Sequence, residues 1–263
     1  MRIPEHASAL LISDLHLTPS MPVTAQRFFD FCEKQTQGSE SVFILGDLFE
    51  YWVGDDVITH SPFHQEVLHT LARLSTRTKT YYMHGNRDFL IGPSFLKRAG
   101  LTLLSDPSLC KLAGDNWVLS HGDALCTADS QYQTFRKVVR QSWIQNLFLK
   151  LPIEFRRRIA KQLRSNSTAK YDQALRFMPD STKIKGDVTL EACANLMRLQ
   201  NAERLIHGHT HLPARHHESK GSQNWQRWVL SDWDLDHPET ILPKASALQI
   251  DANGTRYIDL IKA

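Results

Sequence analysis

The stretch SALLISDLH, residues 8–16, runs through four apolar side chains and stops at Asp14-Leu15-His16. A short apolar run without helical spacing reads as a strand buried on both faces. Its end differs from its body, because an acid and an imidazole alternate across one leucine. On an extended chain that alternation puts both polar side chains on one face. The design recurs downstream. SVFIL (41–45) runs into Gly46-Asp47, and the strand pattern at 80–84 runs into Gly85-Asn86-Arg87-Asp88. WVLS (117–120) meets His121-Gly122-Asp123, and RLIH (204–207) meets Gly208-His209-Thr210-His211. Open α/β sheets form sites at the carboxyl ends of their strands, so five distant pieces can converge there.

Helical spacing at 23–35 and 63–74 alternates with these strands. Strand patterns at 225–230, 245–250 and 256–260 close the chain, with turns at Asn253-Gly254 and near Pro238. The expected class is α/β with two packed sheets. Residues 128–197 carry a nearly continuous helical pattern punctuated by Pro152 and Pro179, which reads as a helical lid or insert. The core is then 1–127 and 198–263.

A chain of 263 residues suits one large domain, or a domain carrying an insert. With 41% hydrophobic and 22% charged residues it is neither disordered nor collagen-like. The formal charge of +3 is too small to point to nucleic acid. Charge placement says more. Between Phe135 and Arg164 nine basic residues face one acid, Glu154, so this segment is +8 and the remainder −5. An anionic partner for that segment is expected. Cys32, Cys110, Cys126 and Cys193 form no CxxC pair, which fits small buried side chains in a reducing compartment. Neither a signal peptide nor a membrane-spanning run is expected.

Carboxylate, imidazole and amide oxygen without thiolate suit Mn²⁺, Fe²⁺ or Zn²⁺. Asp14, His16, Asp47, Asn86, His121, His209 and His211 are too many for one ion and right for two that share Asp47. Two such ions clamp an in-line displacement at phosphorus and lower the pKa of a water between them. Arg87, beside Asn86, reads as a two-pronged phosphate clamp or as a structural partner of Asp88. Asp123 reads as a group orienting a neighbouring histidine. Tyr51 and Trp52 either pack on substrate or anchor their loop, and Asp55 and Asp56 read as turn residues. His84 reads as a supporting residue.

The order D-x-H, G-D, G-N-R-D, H-G-D, G-H-T-H resembles the calcineurin-like metallophosphoesterases. GDLFEYWVGDD (46–56), HGDALCTAD (121–129), LIHGHTHLPARH (205–216) and the helical insert make the chain similar to the UDP-2,3-diacylglucosamine diphosphatase family of lipid A biosynthesis. That resemblance implies a two-sheet sandwich flanked by helices, with a helical lid over the site. It implies hydrolysis of a UDP-diacylglucosamine lipid to UMP and 2,3-diacylglucosamine 1-phosphate, by water attack on the α-phosphorus. It implies two Mn²⁺ ions, one held by Asp14, His16, Asp47 and His211, the other by Asp47, Asn86, His121 and His209. Catalysis would fall to Asp47, Asn86, Arg87, His121 and His209, and substrate contacts to Asn86, Arg87, Asp129, Ser167 and His209. The implied setting is peripheral, on the cytoplasmic side of the bacterial inner membrane, with no nucleic acid and no obligate protein partner. In the lid the sequence departs from the family pattern. After Ser167, where the family places an asparagine and then a lysine, this chain has Tyr171 and no lysine in step, and Lys183 or Lys185 is left to supply that cation from a shifted position.

Trp143, Ile144, Leu147, Phe148, Leu151, Ile153 and Phe155, set among the lid's basic residues, read as an acyl channel and membrane face, or as ordinary helix packing. Two other functions compete. One is a different dinuclear phosphoesterase, such as a nucleotide pyrophosphatase, a phosphodiesterase or a nuclease. The other is a scaffold that kept the fold and lost catalysis.

Overall fold

The computed structural model describes residues 3–177, 186–239 and 241–262, with the backbone alone for 168–177. Two mixed sheets stack face to face. The first has the order β11-β10-β1-β2-β3-β4, and the second β5-β6-β7-β9-β8. Strands β1 (Ala9–Ile12), β2 (Ser41–Leu45), β3 (Lys79–Met83) and β4 (Thr102–Leu104) run parallel. They are joined by α1 (Pro22–Asp30), α2 (Pro62–Ser75) and α3 (Pro93–Ala99). The chain then crosses to β5 (Ser108–Leu112) and β6 (Asp115–Ser120), and β6 lies parallel to β7 (Arg204–His207). Strands β8 (Ala214–Lys220) and β9 (Gln223–Val229) complete the second sheet. A hairpin of β10 (Ser246–Asp251) and β11 (Gly254–Asp259) returns to the first.

Alternation along the buried strands explains their unbroken apolar runs. Leu10, Ile12, Val42 and Ile44 face α1, α2 and α3, where Phe28, Leu71 and Phe95 wait. Ala9, Leu11, Phe43 and Leu45 face the second sheet and meet Leu119, Ile206 and Trp228. A strand covered on both faces has no solvent side to mark with polar residues. The two packed sheets expected from the sequence are present. Three short segments escaped that reading: α3, β4 with β5, and β8. Strand β8 reads ARHHESK, an edge strand whose side chains are mostly exposed or half-buried.

The lid leaves the sandwich after a short turn at Asp123–Leu125. It comprises α4 (Ser130–Val139), α5 (Ser142–Leu149) and α6 (Ile153–Phe177). The next described helix, α7 (Leu190–Gln200), begins inside the stretch expected to be lid. It buries Cys193, Ala194, Leu196 and Met197 against Val118, Leu205 and Trp225 of the second sheet. At the neck the hydroxyls of Thr127 and Thr189 stand 2.6 Å apart, and Thr189 N donates to Leu125 O at 3.0 Å. Among the described residues no helix is long and apolar enough to cross a membrane.

Candidate metal centre

The five strand-end clusters meet. Past β1 and β2 the chains stay paired, with Asp14 N donating to Gly46 O at 3.2 Å and His16 N to Asp47 O at 3.0 Å. Gly208 N donates to His121 O at 2.9 Å, and Trp233 N to Asp14 O at 3.1 Å. The backbone thereby draws residues nearly two hundred positions apart into one cluster. The ligating atoms of Asp14, His16 and His211 lie within 4.8 Å of one another, as do those of Asp14, Asp47 and His121. Asp14 belongs to both groups. Asp47, expected as the shared ligand, stands in the second. Asn86 Oδ1 completes the cluster, 2.9 Å from His121 Nε2 and 2.9 Å from His209 Nδ1.

The backbone at these residues is not the extended strand end read from D-x-H. Asp14, His16, Asp47, His209 and His211 all have φ between 50° and 69°. Left-handed backbone costs a residue with a Cβ roughly 1 kcal/mol or more, and such residues concentrate where function holds them. The predicted outcome survives by this other route, since Leu15 is buried in the core while its two neighbours face the site. Gly85 shows how tight the arrangement is. A Cβ there would stand 2.0 Å from Asp47 Oδ1.

Burial sets the electrostatics. It pushes Asp47 up, to about 7, against the pull of His121 and Arg87. Burial also opposes charge on His121, yet the carboxylates of Asp47, Asp14 and Asp123 raise it to about 9. Burial and the positive His121 drive His209 down to about 3. Asp14 is fully buried too, but the nearby imidazoles, His211 foremost, hold its carboxyl far below the usual range. Asp14 Oδ1 and His16 Nδ1 are buried without a hydrogen-bond partner. Orphaned buried polar atoms are costly. Two buried carboxylates, one amide oxygen, four imidazoles and these orphans make a donor set that fits divalent cations of the manganese, iron or zinc kind.

The supporting residues orient the rings. His121 Nδ1 donates to Leu45 O at 2.8 Å, which leaves Nε2 to face Asp47 and Asn86. His211 Nδ1 faces Asp232 at 3.7 Å, and Lys244 Nζ caps that carboxylate at 3.2 Å. Sequence reasoning passed over Asp232, although it follows the apolar end of β9 as the other clusters follow theirs. His84 supports its loop from a distance, with Nε2 donating to Ile91 O at 2.8 Å.

One alternative is excluded and two roles differ from expectation. Arg87 does not pair with Asp88. Asp88 accepts from Asp47 N, Leu48 N and Gly85 N and so pins two loops together. Arg87 instead sends Nε toward Asp47 Oδ2 at 3.4 Å and Nη1 to Glu50. Asp123 holds the lid rather than a histidine, for it accepts from Tyr132 OH at 2.6 Å and from Arg136 Nε at 2.7 Å. Asp56 is more than a turn residue, because it meets both terminal nitrogens of Arg156. Trp52 anchors its loop, buried against Phe49, Phe95 and His64. Asp55 accepts from Trp52 Nε1, Gly92 N and Phe95 N.

The lid's positive charge is therefore partly spent inward. Arg136, Arg140, Arg156 and Arg164 bond to Asp123, Gly85 O, Asp56 and Glu50. Lys137, Lys150, Arg158 and Lys161 remain exposed. The Tyr132 ring stacks on His209 at 6.1 Å. Asp129 caps α4 through Tyr132 N at 2.9 Å, and Ser167 is exposed on α6. Lys183 and Lys185 lie outside the described residues, as does the side chain of Tyr171.

A two-sheet sandwich with carboxylates, imidazoles and an amide gathered at its strand ends is the architecture of a phosphoesterase, and the chain belongs to the calcineurin-like phosphoesterase family, whose family model matches residues 8–213. Its relatives are more particular. A protein of Ralstonia nicotianae named UDP-2,3-diacylglucosamine hydrolase is 45% identical over 242 residues, covering 91% of this chain and 87% of its own. A protein of Aromatoleum aromaticum with the same name is 44% identical, covering 88% and 91%. One of Pseudomonas fluorescens, again so named, is 40% identical over 93% and 92%.

Proposed function

We propose that this enzyme hydrolyses the pyrophosphate of UDP-2,3-diacylglucosamine to UMP and 2,3-diacylglucosamine 1-phosphate, a step of lipid A biosynthesis. One observation carries the reading: a buried carboxylate–imidazole–amide cluster sits under a lid that exposes Trp143, Leu147 and Phe155, with Trp143 at 67%. The shared name of the relatives supports the choice of substrate. Asp14, His16 and His211 would hold one Mn²⁺ ion and Asn86, His121 and His209 the other, with Asp47 between them. The ions, when bound, polarise phosphoryl oxygens and lower the pKa of the attacking water.

The chain's own residues supply the remainder. Arg87 is fixed through Nε and Nη1, so Nη2 is left to donate to the phosphoryl oxygens. Tyr132, over His209, screens that side of the site from bulk water. Asp129 and Ser167, on the lid, would contact the substrate. The exposed apolar residues of α5 and α6 would take the acyl chains and rest on an anionic membrane from its cytoplasmic side, with Lys137, Lys150 and Lys161 toward the head groups. In this reading the lid expected over 128–197 ends at the Thr189 neck, and α7 joins 1–127 and 198–263 in the catalytic core.

Product analysis tests the proposal. The Mn²⁺-loaded enzyme with detergent-dispersed UDP-2,3-diacylglucosamine in ¹⁸O-labelled water should yield labelled UMP. Label on the sugar phosphate would place the attack on the other phosphorus. Cleavage of a generic phosphodiester without turnover of this lipid would point to another phosphoesterase activity.

A further inference from the structure

Glu50 belongs to no ligand set and was not singled out in the sequence, yet both of its oxygens are committed. Oε1 accepts from Arg164 Nε of lid helix α6 at 2.6 Å, and Oε2 accepts from Arg87 Nη1. The partners differ in footing. Glu50 N donates to Leu17 O at 3.2 Å, and Arg87 O accepts from Trp52 N at 3.0 Å, so backbone bonds fix both ends of the Glu50–Arg87 pair. Arg164 comes from the insert, 114 residues away in sequence.

We propose that Glu50 is a positioning residue: it sets the Arg87 guanidinium for the phosphoryl group and couples that placement to the lid through Arg164. The inference rests on the reading of Arg87 as phosphate clamp given above. A guanidinium is a planar fork, and gripping one edge orients the other. Asp47 and Glu50 hold Nε and Nη1 of Arg87, and among the described residues Nη2 makes no bond. Arg164 meets Glu50 at Nε, and among the described residues its terminal nitrogens make no bond. One carboxylate thus aligns two cations without neutralising both, and the surplus charge favours a diphosphate over a neutral ester. The lid does not depend on this link, because Arg156, two helical turns earlier on α6, is separately clasped by Asp56 and Val53 O.

The test is a set of kinetic cycles on the metal-loaded enzyme with the lipid substrate, alongside metal content and melting temperature. Glu50→Gln should lower kcat by about tenfold, with metal content and melting temperature unchanged. Added to Arg87→Ala, Glu50→Gln should cost nothing further in kcat and leave only a rise in KM from the freed Arg164. Arg164→Gln should raise KM, and its double variant with Glu50→Gln should lose less than the product of the two single losses. Wild-type kinetics for Glu50→Gln would overturn the proposal, as would a full independent loss in the Arg87→Ala background. Loss of bound metal would overturn it too, since Glu50 would then act through His16, whose Nδ1 lies 3.9 Å from Oε2. An Arg87→Ala enzyme with unchanged kinetics defeats the clamp reading itself. A crippled Arg87→Ala beside a normal Glu50→Gln defeats the present proposal alone.

Discussion

The guanidinium of Arg156 is 3% exposed and meets both carboxylate oxygens of Asp56 from one hundred residues away in sequence. The pair joins lid helix α6 to the loop after β2. Its halves are unequal, because the Asp56 side chain is half exposed while Arg156 is sealed. Arg156→Met and Asp56→Asn should therefore differ. Asp56→Asn leaves a buried cation short of its partner and should cost about 1–2 kcal/mol. Arg156→Met leaves a carboxylate that water can reach and should cost less per lost contact. Urea titration measures both, and faster amide exchange along α6 in Asp56→Asn would locate the loss in the lid.

Asp47→Ala should remove a carboxylate of the second ligand group, one that also faces Arg87. The expected outcome is a fall in bound metal, read by elemental analysis, and a loss of turnover of at least about a hundredfold. Full metal content with full turnover would contradict the proposed ligand set.

Gly85→Ala tests the packing of the centre without touching a ligand. The new Cβ would arrive 2.0 Å from Asp47 Oδ1, which cannot move without leaving its neighbours. Turnover should fall with metal content while the circular dichroism spectrum stays that of the parent. An active Gly85→Ala enzyme would show that Asp47 has room to shift.

His64 offers a pH test away from the centre. Burial against Phe49 and Trp52 lowers it to about 4. Its neutral form is favoured in the fold, so its contribution is complete above about pH 6.5 and falls as pH drops toward 4. Over that window it should add a slope of up to about 1.4 kcal/mol per pH unit. In His64→Gln that slope should disappear from denaturation curves taken between pH 7 and pH 4, and an unchanged slope would remove His64 as its source.

Trp143→Gln with Leu147→Gln strips two exposed apolar side chains from α5. Cosedimentation with vesicles containing anionic lipid should fall severalfold, while cleavage of a water-soluble phosphodiester stays at the parent rate. Undiminished vesicle binding would move the membrane face elsewhere.

How far the site could be read from the sequence follows from how it is built. The strands that lead into the site are buried on both faces where they meet it, so an abrupt polar cluster at such an end stands out, and five of six such ends were found. Asp232 was missed because Ser231-Asp232 reads as a turn without a histidine beside it. Glu50, Asp56 and Asp123 were legible as residues but not as lid partners. The nine cations of the lid were read as meeting an anionic partner, whereas four of them bond inward, Arg136 to Asp123 13 residues away and Arg140, Arg156 and Arg164 to loops 55, 100 and 114 residues away, distances that no local spacing records. Backbone handedness at Asp14 and His211 was equally hidden, because short strands and left-handed turns share the same alternation of exposed side chains.

Thr127 and Thr189 give the lid a single doorway. The chain departs and returns through two hydroxyls 2.6 Å apart, and the strands on either side need nothing from what lies beyond. A loop closed at its base pays little for added length. The segment between those threonines can therefore be lengthened, shortened or replaced by another module without shifting β6 or β7. Selectivity for a new phosphoester can then evolve, or be engineered, by grafting at this neck, provided the graft restores the lid's contacts with Asp123, Gly85 O, Asp56 and Glu50.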